Sequence, residues 1–173
     1  MFECSAAVVA ELWQLAHTPF RRSNFQARWE AAGWEVQPSC SAYDWVAYWV
    51  LLPNDLKLEV FPGGERIYGV DLTLCLNGDR HRVEFDACFQ GARELAVAEL
   101  GSPLHEGTDH SADEQRNYAV WRGNTGVLVL QQDSIDFHRG GQVAFWLLPL
   151  RSYERPPERD LQAWTERKIS ERL

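Results

Sequence analysis

The chain contains no Cys-x-x-Cys pair, no glycine-rich phosphate-binding motif and no Gly-x-Ser-x-Gly nucleophile motif. These absences speak against a zinc ribbon, a thioredoxin-like redox pair, a common nucleotide-binding loop and a serine hydrolase. The longest apolar run, residues 46–53, is far shorter than the roughly 20 residues that cross a bilayer. The apolar segment near the start also lacks the basic residues of a signal peptide. We therefore expect a soluble cytoplasmic protein with no cofactor and no membrane partner.

Lysine is also scarce, with two residues against fifteen arginines, and acidic residues outnumber basic ones by 25 to 17. The net charge of −8 repels phosphate backbones, which argues against a nucleic-acid partner, whereas a basic protein partner is compatible with it. The widely spaced cysteines are predicted to be reduced thiols, namely Cys4, Cys40, Cys75 and Cys88. A chain of 173 residues, 45% apolar, predicts a single domain, residues 1–173, whose core needs no disulfide or metal.

Apolar spacing along the chain predicts an α+β fold, in which helices pack on a largely antiparallel, twisted sheet. The predicted helices are 5–16, 23–33 with a Ser23-x-x-Gln26 capping box, about 89–100, and a closing helix after Pro156 and Pro157. The predicted strands are 43–52, 56–61, 67–76, 81–87, a hairpin at 118–134 and one or two strands in 134–149. The order is two helices, four strands, a helix, three or four strands and a helix, with a polar loop at 103–117.

Turn residues between these strands make successive strands antiparallel. The segment 77–79, Asn-Gly-Asp, predicts a hairpin between the strands 67–76 and 81–87. The bend at 122–126 contains Gly and Asn, which tolerate positive φ. Both turns indicate a sheet built mainly from neighbouring strands.

Alternation within the middle strands assigns a face to each residue. The inward positions are Tyr68, Val70, Leu72, Leu74 and Leu76 in 67–76, and Val83 and Phe85 in 81–87. Outward positions carry the carboxylates Glu59, Asp71, Glu84 and Asp86, which form an acidic stripe if the strands are adjacent. Three interpretations of the stripe are open: a solvated face, a carboxylate pair for glycoside hydrolysis, or a binding surface for a basic protein.

Two further features extend the stripe into a candidate binding surface. The acidic segment 107–117 is either a solvated connector or a loop that contacts a partner. The chain also has more aromatic residues than one modest core needs, and Trp and Tyr are common interface anchors. The predicted partner-binding residues are Glu59, Asp71, Glu84, Asp86, Asp109, Asp113, Glu114 and Trp121.

The histidines are the candidates for metal binding and catalysis. His105 and His110 are five positions apart, which on a helix separates them by about 140°, and no cysteine or third histidine is near, so no metal site is predicted. His138 lies beside Asp136 and near Asp133, so one hypothesis is a His–carboxylate catalytic pair of a small hydrolase. No recognisable nucleophile accompanies it, and polar residues at a hairpin tip are the simpler interpretation. No catalytic residue is therefore predicted.

A resemblance to bacterial immunity proteins of polymorphic toxin systems rests on three segments. ACFQGARELAVAELGSP and YAVWRGNTGVLVLQQDS resemble their helix ending in Leu-Gly-x-Pro and their Trp-Arg strand paired with a Val-Leu-rich strand. FQARWEAAGWEV is similar to their opening helix ending in Gly-Trp. The resemblance implies a toxin inhibitor that occludes the active site of a cognate, basic toxin. The element order is also similar to type III secretion chaperones, which bind effectors as dimers, and that alternative stays open.

Overall fold

An eight-stranded antiparallel sheet with helices on one face forms the described part of the chain. The computed structural model describes residues 4–37, 48–53, 56–76, 82–109, 116–132 and 142–150. The helices there are α1 (Ala6–Ala16), α2 (Arg22–Ala31) and α3 (Arg82–Leu100). The strands are β1 (Glu35–Val36), β2 (Tyr48–Leu51), β3 (Lys57–Gly63), β4 (Arg66–Leu76), β5 (His105–Asp109), β6 (Arg116–Arg122), β7 (Gly126–Gln132) and β8 (Gln142–Pro149). The predicted α+β class is confirmed.

The sheet consists of two four-stranded meanders that meet at its centre. The strand order is β1-β2-β3-β4-β8-β7-β6-β5, and every pairing is antiparallel. The chain therefore runs inward from the β1 edge to β4, crosses by way of α3 to the opposite edge at β5, and returns inward to β8. We call the face that carries the helices the inner face and the opposite one the outer face.

The two N-terminal helices lie where their spacing predicts them, with one correction at the start of α2. Ser5 caps α1, and its Oγ accepts a hydrogen bond from the N–H of Val8 at 3.4 Å. The capping box at Ser23 is wrong, because α2 begins at Arg22. The N–H of Arg22 instead donates to the carbonyl of Glu65 at 2.8 Å. The turn between β3 and β4 thus satisfies one of the donors that a side-chain cap serves.

The end of α2 is as predicted. Gly33 has φ +72°, and the next residue, Trp34, donates its N–H to the carbonyl of Trp29 at 2.8 Å. Arg28 of α2 forms a bidentate ion pair with Glu11 of α1, at 2.8 and 2.7 Å. Hydrogen bonding to Glu11 raises the pKa of the Arg28 guanidinium. This pair holds the two helices together at the surface.

The predicted strand 81–87 is wrong, because residues 82–87 belong to α3, which continues to Leu100. Val83 is 78% exposed, whereas Phe85 is fully buried. Two apolar residues two positions apart fit one turn of helix as well as a strand, and Phe89 and Ala92 extend the buried face at helical spacing. The hairpin predicted between 67–76 and 81–87 is not formed, because residues 82–87 are helical.

The sequence does not predict the two edge strands. β1 has only two residues, and β5 lies inside the segment predicted as the polar loop 103–117. An edge strand has a neighbour on one side only and tolerates polar residues, so it lacks the apolar alternation of a central strand. The predicted strands 56–61 and 67–76 and the hairpin 118–134 are confirmed as β3, β4 and β6–β7. Residues 43–47 and the closing helix after residue 156 lie outside the described residues.

Two irregularities in β4 change the faces that strict alternation assigns. Tyr68 is skipped in the register with β3, so it turns outward and is 46% exposed, contrary to the prediction. Leu74 is skipped in the register with β8, and the next residue, Cys75, is buried. Val70 and Leu72 keep their predicted inward positions.

A buried apolar cluster fills the space between the helices and the inner face. Its largest fully buried side chains are Trp29, Phe25, Phe85 and Phe145. Cys4, Cys75 and Cys88 are buried as thiols, and burial raises the pKa of the Cys4 thiol to about 12. Cys40 lies outside the described residues. None of the described helices combines the length and the apolar character that crossing a membrane requires.

The turn between β6 and β7 rests on the C-terminal end of α1. The N–H of Thr125 donates to the carbonyl of Ala16 at 3.0 Å, and its hydroxyl lies 2.7 Å from the carbonyl oxygen of Thr18. A Cβ on Gly123 would overlap the carbonyl oxygen of Ala16. Gly123 is not among the glycines with positive φ, so the turn requires glycine for this close approach and not for the predicted backbone angle.

Candidate partner-binding surface

The outer face brings two of the predicted acidic residues directly together. Glu59 on β3 is the register partner of Asp71 on β4, and Asp71 is also the partner of Trp146 on β8. On the other side of Glu59 lies Trp49 of β2. One row across four adjacent strands therefore consists of Trp49, Glu59, Asp71 and Trp146, with the two carboxylates between the two tryptophans.

Exposure along this row rises from the centre of the sheet toward its β2 side. Asp71 is 6% exposed, Glu59 is half-buried, and Trp49 is 41% exposed. The Nζ atom of Lys57 lies 5.2 Å from the centroid of the Trp49 ring, which is within cation–π distance. A partner that approaches here meets an aromatic ring at the surface and carboxylates below it.

Tyr68 adds a second exposed aromatic ring to the outer face. The register irregularity in β4 turns this side chain outward, and its ring lies against Gly63, where a Cβ would overlap it. Glycine at this position of β3 therefore makes room for the ring. We refer to the following residues as the acidic–aromatic patch: Trp49, Lys57, Glu59, Tyr68 and Asp71.

The two carboxylates of the patch lie opposite each other on β3 and β4. Cβ atoms of directly opposite residues in an antiparallel pair are about 4.5–5.5 Å apart, and like charges there are destabilising. Thr73 Oγ1 lies 3.4 Å from Asp71 Oδ1 and 3.4 Å from Gln142 Oε1, both long distances for a hydroxyl hydrogen bond. Glu59, the more exposed of the two, is the carboxylate that a partner can reach, and a guanidinium is the side-chain cation best suited to carboxylates.

The other two carboxylates of the predicted stripe lie on the opposite side of the sheet. Glu84 and Asp86 are residues of α3, and Glu84 is exposed. Asp86 Oδ1 accepts a hydrogen bond from Gln132 Nε2 at 2.6 Å, and the chain of bonds continues through Asn117 to Thr108. Asp86 therefore joins α3 to β7, and the four-residue stripe is wrong because its last two members are helical.

The remaining predicted binding residues are not part of the patch. Trp121 is 3% exposed on the inner face, and its Nε1 donates to the carbonyl of Gly101 at 2.9 Å. It anchors the end of α3 to β6, so its ring is not available at the surface as the sequence predicts. Asp109 is the last residue of the edge strand β5. Asp113 and Glu114 lie outside the described residues.

Residues 105–109 of the segment 105–110 form the edge strand β5. Glu106 pairs with Arg93 of α3, with Nε and Nη2 each 2.7 Å from Oε2. Within the part of the chain that the structure describes, no group of three or more His, Cys, Asp or Glu side chains could hold a metal ion. His110, Asp133, Asp136 and His138 lie outside that part.

Two members of the patch are aromatic residues that alternation does not assign to the outer face. Trp49 belongs to a segment in which both faces are apolar, and Tyr68 is turned outward by the register irregularity.

Comparison with protein-family models, curated proteins and solved structures gives no match. The geometry of the outer face and the sequence resemblance are therefore the observations that bear on function.

Proposed function

We propose that this protein is a bacterial immunity protein that binds a cognate, basic secreted toxin in the cytoplasm and covers the active site of that toxin. The acidic–aromatic patch is the observation that carries the proposal. It combines paired carboxylates with two exposed aromatic rings on the strands of an extended sheet. Aromatic anchors and close charge pairs supply much of the binding energy at protein interfaces. The protein acts in this proposal by binding and not by catalysis.

A basic loop of the toxin fits the chemistry of the patch. An arginine of the loop reaches Glu59 while its stem packs against the ring of Trp49, the register partner of Glu59. Charge-assisted hydrogen bonds of this kind are shorter and stronger than neutral ones. The net charge of −8 adds a long-range attraction that speeds encounter with a basic partner.

The resemblance to immunity proteins supports the same function. Its two main segments, 87–103 and 118–134, contain most of α3 and of the β6–β7 hairpin. These elements contact each other through the hydrogen bond from Trp121 to Gly101. The resemblance therefore covers two elements that contact each other, and the β6–β7 hairpin belongs to the same sheet as the patch.

Capture of the partner tests the proposal. The tagged full-length chain is purified from its native cells under low salt, and the complexes are measured by native mass spectrometry. A one-to-one complex with a fragment of a secreted toxin is the expected result. A two-to-one complex with an effector segment would instead identify a secretion chaperone, and no protein partner would contradict both.

A pair of charge reversals then tests the patch. Glu59→Arg is expected to weaken toxin binding about tenfold or more, because it replaces an attraction with a repulsion at the contact. Glu84→Arg is the matched control, since it makes the same change of charge on α3, on the other side of the sheet. Asp71 is less suitable because it is 6% exposed and a longer side chain there perturbs folding. Equal affinity losses in both variants would remove the patch from the proposal.

A further inference from the structure

Two arginines lie directly opposite each other beside the turn between β3 and β4. Arg21, the residue before α2, forms an isolated antiparallel bridge with Arg66, the first residue of β4. Backbone hydrogen bonds of 2.8 and 3.1 Å join the residues on either side of this bridge and not the two arginines themselves. In such a non-hydrogen-bonded pair the opposite side chains come closest to each other. We call Arg21 and Arg66 the arginine pair.

The arginine pair points to the outer face, as the acidic–aromatic patch does. Ile67, which follows Arg66, is 2% exposed in the cluster at the inner face, and Phe20, which precedes Arg21, packs against the same cluster. Arg21 has extended backbone angles, with φ −120° and ψ 142°. Successive residues of an extended chain point to opposite faces, so both arginines point away from the helices. Both side chains are exposed.

The charges of the arginine pair are not compensated within the described ranges. There, neither side chain has a hydrogen bond or an ion pair. Arg28 and Arg93, in contrast, each pair with a glutamate at 2.7 Å. Like charges directly opposite each other are unfavourable in an antiparallel pair. The two guanidiniums therefore retain their hydrogen-bond donors for an anion that approaches from outside the chain.

Given the proposed function, we propose that the arginine pair binds a carboxylate of the toxin, beside the basic loop that contacts the acidic–aromatic patch. A guanidinium presents its N–H donors in a planar fork that matches the two oxygens of a carboxylate. Hydrogen bonds between such ions are roughly twice as strong as neutral ones. A carboxylate is the anionic group that the side chains of a protein partner offer, so the arginine pair selects a toxin with an acidic residue next to its basic loop.

The arginine pair and the acidic–aromatic patch are close enough to contact one partner. The ring of Tyr68 lies against Gly63, which is the register partner of Arg66. Glu59 precedes Gly63 by four residues on β3, which is roughly 13 Å along the strand. An interface of standard size, about 800 Å² per partner, covers both sites. A protein with basic residues alone on its contact surface is repelled by the arginine pair, which contributes to specificity.

Titration of the free full-length chain with succinate, a dicarboxylate, tests the site without a toxin. The ionic strength is held constant, and the Nε–H signals of the arginines are followed by NMR. Saturable shifts are expected at Arg21 and Arg66. Arg93 is the internal control, because its Nε already donates to Glu106 Oε2 at 2.7 Å. In the Arg21→Gln chain, the affinity measured at Arg66 is expected to fall about fivefold or more, because one of the two charged donors is lost.

Toxin affinity then tests the partner. Removing a positive charge strengthens the general attraction between an acidic protein and a basic one. Arg66→Gln is nevertheless expected to weaken toxin binding about fivefold or more, because it removes a direct charge-assisted contact. Arg93→Gln is the matched control, since it makes the same change of charge on α3, on the other side of the sheet. It is expected to leave the affinity within about twofold of the parent value or to raise it slightly.

The outcomes separate this inference from the proposed function. Equal, unsaturable shifts at all three arginines would overturn the site, and so would an unchanged affinity at Arg66 in the Arg21→Gln chain. Weaker toxin binding by Glu59→Arg together with tighter binding by Arg66→Gln would keep the proposed function and overturn the toxin carboxylate. If no toxin is captured, the proposed function fails, whereas saturable shifts with succinate would still support the arginine pair as a carboxylate site.

Discussion

The two halves of the outer face belong to one sheet and differ in the polarity and the exposure of their side chains. The β2–β4 half carries Trp49, Glu59 and Tyr68, all of which are exposed or half-buried. The β6–β8 half carries Val120 and Val129 at equivalent positions, and both are fully buried. Both halves are antiparallel meanders, so the backbone does not explain the difference. An apolar half is stable only under a cover, whereas a half with charges and aromatic rings can face solvent and remain open to a partner.

The largest expected effect comes from placing a carboxylate in the covered half. Val129→Asp buries an unpaired charge, and we expect it to lower the free energy of unfolding by more than about 4 kcal/mol or to prevent folding. Tyr68→Asp introduces the same group in the open half, where the side chain reaches water, and is expected to cost about 1 kcal/mol or less. Urea denaturation followed by circular dichroism measures both. Similar losses in the two variants would show that the halves do not differ in cover.

A smaller effect is expected where the covered half is attached to α1. Gly123→Ala forces a Cβ against the carbonyl oxygen of Ala16, and the adjustment is expected to cost about 1–3 kcal/mol. Gly91→Ala is the matched control, because a Cβ there meets no atom within 4 Å in the middle of α3. A helical glycine replaced by alanine is expected to raise the free energy of unfolding by about 0.5–1 kcal/mol. The two Gly→Ala changes should therefore have opposite signs in the same denaturation experiment.

The same comparison explains which parts of the fold the sequence predicts. β3 alternates clearly because one face of it stays exposed, and so Glu59 and Asp71 are correctly placed outward. β7 is buried at every position, and its two polar residues, Gln131 and Gln132, are adjacent, so they mark neither face. Trp121 on the neighbouring β6 has the same ambiguity, and its inward position becomes evident only from its hydrogen bond to Gly101. Alternation assigns residues to the two faces where one face of a strand is exposed to water, and it does not do so where both faces are buried.

The remaining errors have local causes. The outward position of Tyr68 depends on a register irregularity that no short-range pattern marks, so it could not be predicted. The sequence pattern assigns Glu84 and Asp86 to a strand because the first turn of α3 contains too few apolar residues to separate a period of two from one of 3.6. The polar edge strand β5 resembles a loop in composition. These features depend on tertiary neighbours, which the local sequence does not specify.

The smallest expected effect lies within the open half itself. Glu59→Gln removes one of two opposed carboxylates, and we expect it to raise the free energy of unfolding by about 0.2–1 kcal/mol near neutral pH. The gain is expected to shrink at high salt, because screening already weakens the repulsion of the parent chain. Glu84→Gln is the matched control with the opposite sign, since a carboxylate in the first turn of α3 favours the helix by about 0.3–1 kcal/mol.

The stability of the free Glu59→Gln protein and its affinity for the partner together show whether Glu59 serves recognition or stability. If the substitution stabilises the free protein and weakens partner binding, Glu59 contributes to recognition at a cost in stability. If it destabilises the free protein, the carboxylate of Glu59 already has favourable interactions within the chain. The open half would then gain less from a basic partner than its charge suggests, and the two exposed rings, Trp49 and Tyr68, would have to provide most of the binding energy.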